Sequence, residues 1–193
     1  MAGRGFKEVY NLSGGIYAWE GKRAEGPVEL NMDMVRGDET PAEIIRLAYG
    51  MEHSLGEFYK AAKSTTKDAE VAELLGTLSD VENKHKAYLI KLGESIDPVG
   101  TSAEKLETEV ASKTLEGGFD STEFLQRNDR FMQSIPDLLD LSMMVETQAL
   151  DLYFRFAGKT ENDHTKEVLY KISDEEKGHL AALGELRDAR ARK

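Results

Sequence analysis

The sequence predicts an all-α protein: a four-helix bundle made of two helical hairpins joined by one long crossover. Two observations carry this. Four long segments repeat their apolar residues at intervals of three and four, the period of a helix that buries one face. Short turns separate the first pair and the last pair, whereas a long stretch, roughly Glu94 to Gln133, lies between the second and third. Such a stretch is uncommon in a compact domain unless it crosses over or carries minor helices.

The first helix opens at DETPAEIIRLAYG, where Asp38 or Thr40 can cap and Pro41 suits the first turn. Ile44, Ile45, Leu47, Ala48, Met51, Leu55, Phe58 and Tyr59 then recur with helical spacing through about Ala62. For the second helix, Thr65 or Thr66 is the expected cap, and Val71, Leu74, Leu75, Leu78, Val81 and Leu89 carry it to Leu92-Gly93. The crossover holds Pro98, Gly100, Gly117 and Gly118, with AEKLETEVA and STEFLQRNDRF as candidate short helices. Ser134 caps the third helix, which runs through LSMMVETQALDLYFRFA to Gly158. The fourth begins around TENDH and continues to the C-terminus, where Arg187, Arg190, Arg192 and Lys193 complement the helix dipole.

Composition narrows the function. A net charge of -11 argues against a general nucleic-acid binder, which would carry a basic stripe. No apolar run is long enough to span a bilayer and no signal peptide opens the chain, so a cytoplasmic protein without membrane contact is expected. The chain contains no cysteine, which removes disulfides, thiolate chemistry and cysteine-ligated metals.

The strongest signal is a repeat. SDVENKHKAYL and SDEEKGHLAAL both contain Glu-x-x-His, and the resemblance extends further back. Glu52, Tyr59, Glu82 and His85 recur as Glu146, Tyr153, Glu176 and His179, each 94 residues on. Residues three apart share a helix face, so Glu82 projects with His85 and Glu176 with His179. Glu52 and Glu146 lie on apolar-rich faces, level with those turns. Four glutamates buried bare would repel one another and suffer heavy desolvation. Two divalent cations would balance them, and one Glu from each of two helices plus Glu-x-x-His from the other two is a di-iron or di-manganese donor set. Glu57 and Asp151 also repeat but point away from this face, His53 and His164 are expected toward solvent, and Met143 and Met144 read as core filler.

MEHSLGEFY, DVENKHKAYL, VETQALDLY and DEEKGHLAAL resemble the rubrerythrin branch of the ferritin-like superfamily, over roughly Asp38 to Arg187. The resemblance implies two iron ions, with manganese or zinc as substitutes. It gives Glu82 and Glu176 the bridging role, Glu52 and Glu146 a terminal one, and His85 and His179 one metal each. Tyr59 and Tyr153 match the family's tyrosines beside the carboxylates. The implied activity is reduction of H2O2 or O2, with iron binding or ferroxidation, or a metal-stabilised scaffold, as alternatives. Full-length members carry a cysteine-rich rubredoxin domain; this chain has no cysteine, so an external electron donor such as a rubredoxin is implied. Ala149 stands where peroxide-reducing members place a further carboxylate, which counts against redox-linked ligand exchange.

The N-terminal GRGFKEVYNLSGGIYAWEGKRAEGPVEL departs from the helical pattern. It reads as a short strand followed by a short helix and resembles the C-terminal end of a rhodanese domain, without that family's catalytic cysteine loop. The expected organisation is an arm over residues 1–28, a linker over 29–37 and the bundle over 38–193. An arm this small cannot bury Phe6, Tyr10 and Trp19 by itself, so a homodimer is expected.

Overall fold

A computed structural model of the protein describes residues 34–109, 121–128 and 132–191. The expected arm over residues 1–28 and most of the linker lie outside the described residues. Asn31–Lys193 form one compact unit. Among its described residues there are six α-helices and no strand: α1 (Pro41–Thr65), α2 (Ala69–Glu94), α3 (Ala103–Glu109), α4 (Ser121–Asn128), α5 (Ile135–Lys159) and α6 (Asp163–Ala191). The four long ones form the all-α bundle that the sequence predicts, and α3 and α4 are the short helices of the crossover.

Local chemistry sets the helix starts. Thr40 caps α1 in a reciprocal box, its hydroxyl accepting from Glu43 N while the Glu43 carboxylate accepts from Thr40 N. Asp38, the other candidate, pairs with Arg36 instead. The cap of α2 differs from expectation. Neither Thr65 nor Thr66 fills it; Asp68 does, accepting from Glu70 N at 2.9 Å and Val71 N at 3.1 Å. Thr66 ends α1 instead, its N–H bound to Ala62 O. Its extended backbone lets Asp68, two residues on, reach the free amides. Ser134 caps α5 as expected, and Asn162 Oδ1 accepts from the amides of His164 and Thr165 at the start of α6.

The hairpins α1–α2 and α5–α6 make the densest packing, and they meet through α1 against α6 and α2 against α5. Pro41, Ser95, Ile96, Asn162 and His164 line one pocket. The starts of α1 and α6 and the end of α2 therefore share one end of the bundle. The described parts of the crossover meet α1 at two levels: Arg46 Nη2 donates to Gly100 O at 3.0 Å, and Phe124 of α4 packs edge-on against Phe58 at 5.5 Å.

The core divides into two apolar layers. One gathers Ile45, Ala48, Met51, Leu89, Ala149, Tyr153 and Ile172. The other gathers Leu55, Tyr59, Leu75, Leu78, Leu139, Val145 and Leu183. In each long helix the switch from one layer to the other falls at a buried glutamate: Glu52 lies between Met51 and Leu55, and Glu146 between Val145 and Ala149. Two hydrophobic slabs thus enclose a polar plane. Met144 lies outside this core at 39 % exposure, a departure from its reading as filler, while Met143 packs against the second layer.

Candidate metal centre

Each hairpin supplies one cluster to that plane. Glu52 comes from α1, with Glu82 and His85 one turn apart on α2; Glu146 comes from α5, with Glu176 and His179 on α6. Ligand atoms of Glu52, Glu82 and His85 all lie within 4.8 Å of one another, and so do those of Glu146, Glu176 and His179. His85 Nδ1 stands 2.8 Å from Glu82 Oε2 and 3.3 Å from Glu52 Oε2. In the second cluster, His179 Nδ1 is 3.0 Å from Glu176 Oε2 and 3.5 Å from Glu146 Oε2. The two rings then stack, 3.4 Å between centroids and 7° between planes. All six expected residues converge on one region.

None of the four carboxylates is more than 3 % exposed. Oε2 of Glu82 and Oε2 of Glu146 are buried and accept no hydrogen bond. For Glu82 the 2.8 Å approach of His85 is close enough but poorly aligned. Burial pushes the Glu146 carboxyl up. His179 Nδ1, at 3.5 Å, is too far to bond Glu146 Oε2 well, yet the nearby side chains of His179 and Glu176 and the charge of both imidazoles outweigh burial and leave the carboxyl below its ordinary value. A buried carboxylate oxygen without a donor is costly unless a cation satisfies it. Oxygen-rich donors with one imidazole in each cluster fit iron or manganese and accept zinc. The residues present therefore fit two divalent metals.

Close backbone approach holds the first cluster in place. A Cβ on Gly56 would stand 3.3 Å from the Cβ of Glu82, so α1 and α2 approach closely beside that ligand. Ser79 Oγ donates to Gly56 O across the same contact at 3.2 Å.

Tyr59 and Tyr153 are both fully buried. The Tyr59 hydroxyl donates to Ser142 Oγ at 3.2 Å, and Ser142 donates to Leu138 O. At the position matching Ser142 the first half has Ala48, so this contact breaks the pseudo-symmetry. Two further residues sit beside the clusters: Tyr88 of α2 and Glu175 of α6 line the pocket that contains Glu52, His85, Glu176 and His179. Burial raises the Tyr88 hydroxyl pKa, and the charge of Glu175 adds to it. Ser142, Tyr88 and Glu175 carry no repeat signal; only their helical distance from the ligands marks them. His164 is exposed as expected, whereas His53 is half-buried; Glu57 and Asp151 face solvent.

An all-helical bundle enclosing two clusters of two glutamates and a histidine defines the class, a di-iron-type carboxylate protein. The Rubrerythrin family model matches residues 43–187, and the chain belongs to that family. No curated protein and no solved structure matches it. Among the described residues no helix is long and apolar enough to cross a membrane.

Proposed function

We propose that the protein is a non-haem di-iron oxidoreductase that reduces H2O2 or O2 with electrons from a separate donor protein such as a rubredoxin. Glu52, Glu82 and His85 would hold one metal and Glu146, Glu176 and His179 the other, with Glu82 and Glu176 in the bridging role that the family resemblance gives them. The observation that carries this reading is the pair of buried carboxylate oxygens on Glu82 and Glu146 without a hydrogen-bond donor. Bound iron supplies one electron per ion, which matches the two-electron reduction of peroxide. The chain's own residues do the rest. The two apolar layers keep bulk water from the polar plane, and the fully buried Tyr59 and Tyr153, one in each layer, are the tyrosines that the family resemblance sets beside the carboxylates. These 193 residues contain no cysteine, which supports a rubredoxin-type centre lying outside them as the electron source.

A second reading, iron binding with oxidation but without peroxide turnover, is favoured by Ala149. This residue is fully buried among apolar neighbours and offers no ligand atom. Metal analysis and an optical spectrum of anaerobically purified protein test the common premise. Steady-state consumption of peroxide with a reduced donor separates the two readings. Bound iron with turnover supports the oxidoreductase; a single oxidation of loaded iron supports the second reading; iron-free protein that takes up no iron removes both.

A further inference from the structure

We propose that metal ions reach the buried clusters through one mouth, between Tyr88 and Glu175, where the Glu175 carboxylate captures the incoming hydrated cation. The proposal rests on the reading of the two clusters as a metal centre. The pocket that contains Glu52 and Glu176 passes His85 and His179 and ends at half-buried Tyr88 and exposed Glu175. Glu82 and Glu146 complete the two clusters that this pocket touches, and their buried oxygens without a hydrogen-bond partner give an entering cation reason to continue inward.

The repeat gives this mouth its significance. Helices α2 and α6 run antiparallel on either side of the stacked imidazoles, so the seam between them has two ends related by the pseudo-two-fold. Displacement by 94 residues takes Tyr88 to Ala182 and Glu175 back to Val81. At these two positions the matching end of the seam therefore carries valine and alanine in place of the carboxylate and the hydroxyl. A hydrated divalent cation gains nothing there and would lose water without replacement. At the other end a carboxylate raises the local cation concentration and offers the first oxygen to replace a water. The ligands repeat across the two halves, whereas the polar residues of this mouth do not.

The test uses the full chain, stripped of metal and mixed rapidly with Co²⁺, with uptake followed by the visible absorption of bound cobalt and final stoichiometry by equilibrium dialysis. At low ionic strength Glu175→Gln slows uptake about three- to tenfold and Glu175→Lys slows it further, on the scale of single-site electrostatic steering. Both variants still reach wild-type stoichiometry, and added salt narrows the gap. Glu185→Gln, which removes the same charge from an exposed position elsewhere on α6, loads at the wild-type rate. Unchanged uptake in Glu175→Gln, or equal slowing in Glu185→Gln, overturns the entrance. A lowered final stoichiometry would make Glu175 a ligand and overturn it too. Wild-type protein that binds no cobalt would instead defeat the metal-centre reading.

Discussion

The imidazoles of His85 and His179 lie face to face, 3.4 Å between centroids. Each Nδ1 is turned to the carboxylates of its own half: Glu82 and Glu52 for one ring, Glu176 and Glu146 for the other. The stack therefore marks the pseudo-two-fold of the bundle, and the two clusters sit back to back across it. Residues 94 positions apart in the chain become neighbours in space at this point.

Removal of a buried ligand should change stability in opposite directions with and without metal. In metal-free protein Glu82→Gln replaces a buried carboxylate oxygen that lacks a donor, and stabilisation of about 1–3 kcal/mol is expected. With metal the same change costs affinity and lowers the melting temperature relative to wild type. Thermal unfolding of both proteins, each with chelator and with Fe²⁺ under anaerobic conditions, checks the sign reversal. A variant less stable in both states would mean that Glu82 is satisfied without a cation.

His179→Ala should retain helical content yet lose much of the metal-dependent rise in melting temperature. A ligand present at a hundred times its dissociation constant stabilises the fold by about 2.7 kcal/mol, so a hundredfold loss of affinity removes most of that increment. Circular dichroism melts across a metal titration measure it, and anomalous scattering at the iron edge counts the ions lost.

Gly56 should tolerate no large side chain, although the matching position in the second half is Leu150. A Cβ there already meets Glu82 Cβ at 3.3 Å, and the remaining atoms of leucine would force α1 from α2 at the ligand. Gly56→Leu is expected to cost about 1–3 kcal/mol as an overpacked contact. It should also weaken metal binding, whereas Leu150→Ala should leave the binding constant unchanged. Denaturant melts and cobalt titration of both variants provide the comparison.

Acid should weaken the entry to α1 through Glu39. Burial pushes its carboxyl up, but the amides of Arg36 and Gly37, at 2.6 Å and 2.9 Å, outweigh this and hold it below its ordinary value of 4.5. Because the folded value is the lower one, the contribution is complete above pH 4.5 and is lost as pH falls through the depressed value. Glu39→Gln should cost about 1–2 kcal/mol at neutral pH, the scale of hydrogen bonds to a charged acceptor. Its melting temperature should fall less steeply than that of wild type between pH 5 and 3, measured in metal-free protein.

Much of this molecule is fixed by local rules. The apolar period of 3.6 sets the four long helices, and Thr40 and Ser134 are caps because their hydroxyls reach amides three residues on. The six candidate ligands are legible for the same reason: spacing of three on one helix puts a Glu and a His on one face, and a constant offset of 94 marks their partners. The tertiary structure decided what depends on distances between helices. It chose Asp68 over the threonines as a cap, because the path of the turn after α1 determines which side chain meets the free amides. It brought His85 against His179, left Glu82 and Glu146 each with an unsatisfied oxygen, and placed Gly56 at a close approach of α1 to α2. It also opened the pocket at Tyr88 and Glu175, whose repeat mates are Ala182 and Val81. Periodicity assigns a face to each residue, but only packing sets how far that face stands from the next helix.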